Sequence, residues 1–372
     1  MLTDVEWARP AWIEIGAHAR ASRYQSFEFA LHWSQTIGAA SGVTPWIVVA
    51  RDERGAIRAL LPLARFRYGP IRWAAFLGGR LANFQMGLFR NGVEWTRADV
   101  GALLREAAAL ADPSIDAYLL ANQPVFWDGT PNPLASLGIQ PSPSNGYSSA
   151  LANSFSVWRD AHFSRAAQKK LLKKSKRLTA IGPLTHLRAS RADEARAVID
   201  AFLPQKRARM HALGLPNEFD GEPTAALLTR LSSGDAPVLE LHALRVKERI
   251  IATFAGFSDG VRLSGLFLSH DMDPGIAASS PGELLIMEVV RDAIERGFTA
   301  FDLGVGEARY KNGCCEITEA LFDSALPISV AGRVAAAAFL AARRMKQRLK
   351  QSPRLFRIAL RARRFLSWPT LV

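Results

Sequence analysis

The residues able to do chemistry crowd into one short stretch of this sequence. Phe301-Asp302-Leu303 closes a strand-like run, Gly304-Val305-Gly306-Glu307 follows, and Tyr310-Lys311 comes next. A carboxylate at a strand end, two glycines, a phenol and an amine put polar groups at the mouth of a sheet, where α/β folds bind ligands. Such a set could do acid–base or charge-stabilising work: Asp302 and Glu307 can accept a proton, Tyr310 can donate one and Lys311 can face a negative charge. Plainer readings exist: Asp302 capping the strand end, Tyr310 packing its ring across the sheet. Gly304-x-Gly306 is not a dinucleotide fingerprint, because the third glycine and an immediate helix are missing. Cys314 and Cys315 are adjacent and cannot staple a fold. Neither has a paired base for nucleophilic work, and no second Cys/His pair stands at ligand spacing, so no metal is expected. The seven histidines are scattered, and His270 alone falls near the stretch, as a satisfied loop residue.

Just upstream, the strand-like Arg262 to Ser269 runs into a polar loop, His270 to Ser280, and then into Pro281-Gly282-Glu283-Leu284-Leu285. Ser280 suits an N-cap, Pro281 the first helical position, and Glu283 the third, completing a capping box. Gly282 lets a ligand approach the backbone, and the amides and dipole of a helix start bind phosphate. Apolar Leu284, Leu285, Met287, Val289, Val290 and Ile294 form the buried side, and Gly297 ends the helix.

Taken together, Ser280-Pro281-Gly282-x-Leu284-Leu285, Glu295-Arg296-Gly297, Phe301-Asp302-Leu303-Gly304 and Gly306-x-x-x-Tyr310-Lys311 resemble the GNAT-type acyltransferase domain. The similarity points to the branch of the bacterial CelD/BcsL proteins of cellulose and exopolysaccharide biosynthesis, related to the FemAB peptidyltransferases. It runs between about Ser164 and Ser329. The resemblance implies an acyl-CoA donor, acetyl-CoA or a longer one, attacked by a neutral amine while the leaving thiolate gains from a proton or a nearby cation. In that chemistry Asp302 or Glu307 would bind the acceptor or act as its base, Tyr310 would donate a proton to the thiolate or position the acyl group, and Lys311 would stabilise the oxyanion or hold an acidic acceptor. The donor's pantetheine would lie beside Gly265, Leu266, Phe267, Leu268 and Ser269, and its pyrophosphate at Ser280, Pro281, Gly282 and Glu283. Two departures stand out: Cys314 occupies the place of an aromatic residue, and only Pro281-Gly282 remains of a glycine-rich phosphate loop.

Two segments share an order of elements that would position these groups. Strand-like runs at Thr44–Ala50, Ala56–Arg67 and Ile71–Leu77 are matched by Pro237–Val246, Arg249–Phe257 and Val261–Ser269. Helix-like segments precede both triplets (Phe27–Ala40; Asp193–Leu213, with a break at Pro204). A helix and a strand follow both (Thr96–Ala111 and Ile115–Leu120; Gly282–Arg296 and Phe298–Leu303). The expected fold is therefore α/β (α+β) with tandem GNAT-like domains, each a mixed, mostly antiparallel sheet flanked by helices. Residues 1–150 form the N-terminal domain, 151–328 the acyltransferase domain and 329–372 a basic helical tail. Asn132 to Ser149, rich in Pro and Ser, reads as the linker.

With 372 residues and a net charge of +13, the chain is too long for one ordinary core, and its charge is unevenly spread. Eleven basic residues and no acid follow Asp323, and nine basic residues and no acid lie between Ala161 and Ala192. Without both stretches the remainder nets −7, which argues against a uniformly basic nucleic-acid binder. In the helix-like Ser164 to Leu178, Lys169, Lys170, Lys173, Lys174 and Arg177 share one side, a solvated face or an anion site for a phosphate-bearing ligand. In the tail, Leu355, Ile358, Ala362 and Phe365 form a stripe beside Arg354, Arg357, Arg361 and Arg364, with Trp368 beyond. That pattern fits either an anionic membrane surface or docking on the acidic body.

No signal peptide or membrane span is evident, so a cytoplasmic protein is expected, peripheral at the inner membrane if the tail binds lipid. The leading expectation is an acyl-CoA-dependent N- or O-acyltransferase acting on an amine or hydroxyl of a cell-envelope or exopolysaccharide precursor, a small or glycan-type acceptor. The alternatives are a FemAB-type transferase using aminoacyl-tRNA, with Ser164 to Leu178 on the RNA, and a non-catalytic fold tethering a membrane assembly.

Overall fold

A helix following a three-strand meander returns the chain parallel to the strand it left, because a parallel neighbour needs a crossover. This sequence supplies two such helices. The computed structural model describes residues 2–234, 237–308 and 310–351, and divides into two units: residues 2–146 with 319–351, and residues 147–318.

In the first unit, strands Thr44–Arg51, Ile57–Tyr68 and Ile71–Phe76 form an antiparallel meander. Helix Arg97–Ala109 follows, its start fixed by a capping box between Thr96 and Asp99. Strand Ala117–Pro124 then pairs parallel to the third strand at Trp73–Ala117 and Ala74–Tyr118. Leu321–Pro327 and Gln140–Pro141 extend the sheet antiparallel. Trp46, Phe76, Val100, Leu104, Tyr118 and Phe322 make its core.

In the second unit, Leu184–Arg188, Leu239–Val246, Arg249–Ser258 and Arg262–His270 are antiparallel neighbours. Helix Pro281–Glu295 crosses over to strand Ala300–Val305, which pairs parallel to Arg262–His270. Gly146–Ala150 and Ile317–Glu319 complete the sheet. Leu285 and Val289, one helical turn apart and both fully buried, pack the helix into a core with Phe254, Leu263 and Phe301. The fold is the expected one: two mixed, mostly antiparallel sheets flanked by helices, in tandem.

Several local expectations are corrected. The chain passes from the first unit to the second within Asn132 to Ser149, after Gly146, but this stretch is structured. It holds a short 3-10 helix, Pro133–Leu137, and two sheet strands, Gln140–Pro141 and Gly146–Ala150. Asn132 anchors it by donating to the Pro124 carbonyl and accepting from the Leu134 amide. The unit boundaries also differ from 150 and 328. Leu321–Pro327 lies in the first sheet, because its ladder partners are Ala117–Pro124. Helix Val330–Gln351 goes with that unit too: at Gly332 a Cβ would meet the Asp116 carbonyl oxygen, and the Ser329 hydroxyl donates to the Asp116 carboxylate. Helix Ala192–Leu213 passes through Pro204 unbroken. Tertiary contacts on both sides hold it, Phe202 stacked on Phe267 and the Gln205 amide donating to the Ile250 carbonyl. Among the described residues, no helix is long and apolar enough to cross a membrane. The tail stripe from Arg354 to Trp368 lies outside the described residues.

Candidate active site

The parallel pairing between Arg262–His270 and Ala300–Val305 covers three registers, Arg262–Ala300, Leu263–Phe301 and Ser264–Asp302. Both strands run on past the last of these, so they part there. Two local features mark this point. On the antiparallel side, Ala255 faces Phe267 while Gly256 faces Gly265, which leaves Leu266 as an extra residue that bends the strand. At Gly265 itself a Cβ would sit 2.9 Å from the Asp302 carbonyl oxygen, so only glycine allows the approach.

Asp302 locks this point. It is fully buried, and its Oδ2 accepts from Arg262 Nε at 2.9 Å and from the Ser264 hydroxyl at 2.6 Å. Its Oδ1 accepts from the Gly304 amide at 3.0 Å. Burial pushes the carboxyl up, while Arg262, Ser264 and Gly304 pull it down. Both oxygens are committed within the fold, which suits an anchor better than a base. Gly304, with φ of +68°, turns the strand end so that Lys311 Nζ donates to the Gly304 and Val305 carbonyls at 3.1 and 3.2 Å. Lys311 is 4% exposed, and burial pulls its ammonium down to about 8 against the opposing pull of Asp302. Its Nζ also lies 5.7 Å from the Tyr147 ring centroid. Tyr310 packs on the core, and burial pushes its phenol up to about 12. Glu307 is exposed on the loop between them.

Asp302 and Lys311 are thus brought together around Gly304, with Tyr310 next in the chain. The second expected group also converges. Gly282 lies against Leu268 and His270, with a Cβ there 3.5 and 3.8 Å from them, so the strand and the helix start meet. The cap differs from expectation. Ser280 is left-handed (φ +50°) and its side chain makes no cap. Glu283 instead accepts from Lys174 Nζ at 2.5 Å, so the helix start already faces its own carboxylate and a lysine. Of the remaining cations on helix Arg165–Thr179, Lys169, Lys170, Lys173 and Arg177 are exposed. Phe267 and Ser269 face the other way. Phe267 stacks on Phe202 and meets Phe219 edge-on, and the Ser269 hydroxyl donates to Gln205.

Some residues were not singled out by the sequence. Lys206 and Arg209, half-buried and three apart on helix Ala192–Leu213, carry no ion pair among the described residues; Lys206 sits 5.3 Å from the Phe219 ring. Only their i, i+3 spacing would have shown them. Ser149, His162 and Glu316 also meet, but the hydroxyl and the carboxylate both approach Nε2, at 3.4 and 2.7 Å, and Nδ1 contacts the Trp158 carbonyl. A nucleophile relay needs acid and hydroxyl on opposite ring nitrogens, so this group is a clasp. Cys314 donates its thiol to the Tyr310 carbonyl, and the hydrogen bond with Cys314, with burial, pushes the Cys315 thiol up, so neither is primed as a nucleophile.

Residues 165–312 match the acetyltransferase (GNAT) domain. Solved structures extend the likeness over both units. FemX is 11% identical, with a TM-score of 0.62 over 89% of this chain and 98% of its own. The C-terminal domain (DUF2156) of a protein assigned as a lysylphosphatidylglycerol synthetase from Agrobacterium fabrum is 13% identical, with a TM-score of 0.53 over 91% of this chain and 95% of its own. A protein of unknown function from Bacteroides thetaiotaomicron has the same identity and score, over 86% and 97%. At such identities the likeness is one of fold. No curated protein matches the sequence. The matched segment thus lies within the second unit, from the start of the basic helix to the residue after Lys311.

Proposed function

We propose that this protein is an acyltransferase whose activated acyl donor enters between strands Arg262–His270 and Ala300–Val305. The observation that supports this most is the early end of their pairing at Ser264–Asp302, inside the segment that matches the GNAT domain. In this reading the nucleophile, an amine or hydroxyl, attacks the donor carbonyl carbon and its proton passes to Glu307 directly or through water. The bond to the leaving group breaks and the leaving group takes a proton from Tyr310, whose raised phenol stays protonated at neutral pH. Lys311 acts as the ammonium that offsets the developing oxyanion. Asp302 is a positioning residue, holding Arg262, Ser264 and Gly304 where the strands part. Lys206 and Arg209 favour an acceptor with an anionic group, such as a cell-envelope or exopolysaccharide precursor.

Acyl-CoA is the leading donor, with its pantetheine along Gly265 to Ser269 and its pyrophosphate at Ser280 to Glu283. One observation favours a second donor. Glu283, held by Lys174, already answers the helix dipole, while the exposed cations of Arg165–Thr179 suit an extended polyanion such as aminoacyl-tRNA. Thermal unfolding with saturating acetyl-CoA and longer acyl-CoAs separates the two: a rise in midpoint is expected with at least one. No rise with any of them, together with salt-sensitive tRNA binding, would overturn the acyl-CoA donor in favour of the second. Silence in both arms would defeat the transferase reading itself.

A further inference from the structure

Two of the histidines that look scattered in sequence, His186 and His242, meet in the second unit. Glu240 and His242 point the same way from strand Leu239–Val246, two residues apart, and Asp292 approaches from the last turn of helix Pro281–Glu295. One donor atom from each of the three lies within 4.8 Å of the others. Glu240 Oε2 and His242 Nε2 are 3.7 Å apart, near the spacing of two donors on one ion at about 2.0–2.2 Å from each. His242 is fully buried and its Nε2 has no hydrogen-bond partner, a costly state for a ring nitrogen. Asp292 Oδ2 is also buried without a hydrogen bond, although the Arg296 Nε lies 3.2 Å from it as an ion pair. The other ring nitrogen, Nδ1, lies 3.1 Å from His186 Nε2. When Nδ1 is the donor, Nε2 turns a bare lone pair toward Glu240 and Asp292, the disposition of a metal-ligating histidine steadied by an outer partner.

We propose that Glu240, His242 and Asp292 hold a divalent transition-metal ion of zinc type, with His186 as the outer partner of His242. Imidazole with two carboxylates suits such an ion, and three protein ligands leave a position for water. The side chains of Glu240 and Asp292 are 16% and 22% exposed, which gives the ion a way in. Arg296 is the competitor. It donates to both Glu240 oxygens at 3.1 and 2.8 Å and places Nε 3.2 Å from Asp292 Oδ2. Binding therefore draws Glu240 Oε2 and Asp292 Oδ2 off the guanidinium and onto the ion. The ion ties the strand to the end of the helix whose start flanks the donor site, so its role is structural and does not depend on how transfer proceeds.

The test uses the full chain, stripped of metal with a chelator and then titrated with Zn²⁺, and with Co²⁺ as a spectroscopic probe. One equivalent of Zn²⁺ should bind and raise the unfolding midpoint as its concentration rises. Co²⁺ should give visible d–d bands without a thiolate charge-transfer band, separating this site from Cys314 and Cys315. His242→Gln and Asp292→Asn should abolish the bands, His186→Phe should weaken binding about 10- to 100-fold, and Arg296→Met should strengthen it by freeing the carboxylates. If His242→Gln fails to fold, Asp292→Asn and Arg296→Met still decide. The proposal is overturned if no equivalent binds at saturating Zn²⁺, which would leave a buried water as the partner of His242 Nε2. Binding unchanged in Asp292→Asn, or weakened in Arg296→Met, would overturn it as well.

Discussion

The two units share an order of elements and differ at one point, where the third strand leaves its parallel neighbour. In the first unit the chain fills that point itself. After Ile71–Phe76 it turns through Gly78 and Gly79, and the Gln85 amide then donates to the Asn122 carbonyl at the end of the neighbouring strand. The Gln85 side chain donates to the Gly79 carbonyl, and Phe84 is fully buried beside it. In the second unit the corresponding chain leaves through the polar loop to Ser280, and the polar groups Asp302 and Lys311 gather at the strand end. At this point the repeated frame thus holds its own returning chain in one copy and a pair of buried polar groups in the other. The difference comes from the loop after the third strand, and it predicts that substitutions at the first parting cost stability alone while those at the second also cost transfer.

The largest effects should come from the two buried carboxylates. Asp302→Asn breaks the buried ion pair with the Arg262 guanidinium, 8% exposed, and should cost about 3–5 kcal/mol in urea unfolding. Asp323→Asn in the first unit breaks the pair with Arg343, whose side chain is 16% exposed and also donates to Asn122 at 2.6 Å, so its cost should be smaller. Below their unfolding midpoints, only Asp302→Asn should slow transfer. Equal slowing by both would erase the contrast between the units.

Lys311→Met sharpens it next. Removing a buried ammonium spares the fold a desolvated charge, so stability should hold or rise, while kcat should fall about 100- to 1,000-fold. A variant that is stable and fully active would move the site elsewhere. The same group sets a pH dependence. With Lys311 pulled down to about 8 in the fold and ordinary in the unfolded chain, the unfolded state binds more protons between about 8 and 10.5. Stability from this group should therefore rise with pH across that window. Transfer should decline above about pH 8 as the ammonium is lost. A rate that climbs through pH 8 would mean that the neutral amine is the working form, with Lys311 as a base.

Local patterns made the frame legible in the sequence: both meanders, both crossover helices and the strand carrying Asp302 stand within a few residues of their expected bounds. What was hidden depends on partners far along the chain. Gly146–Ala150 and Leu321–Pro327 are short, and only their ladder neighbours make them sheet strands. Asp302 was visible as a carboxylate at a strand end, but Arg262 and Ser264, 40 and 38 residues earlier, give it the work of an anchor. Ser280 has the residue type of a cap, yet its left-handed backbone turns the side chain away from that task, and Lys174, 109 residues before Glu283, supplies the pairing instead. The cluster of Glu240, His242 and Asp292 joins a strand to a helix end, so no ligand spacing announced it.

The smallest expected effect tests the first unit directly. Gln85 is 6% exposed, and truncating it in Gln85→Ala removes its bond to the Gly79 carbonyl while leaving the backbone bond to Asn122. The loss should be about 1 kcal/mol in unfolding free energy, with kcat and KM within twofold of the parent. The two measurements answer different questions. Stability reports whether the returning chain is held at the first parting, and the kinetics report whether that parting takes any share in transfer. A variant that keeps its stability but loses activity would show that the first unit contributes a group to the reaction, and the division of labour between the copies would then have to be redrawn around Gln85.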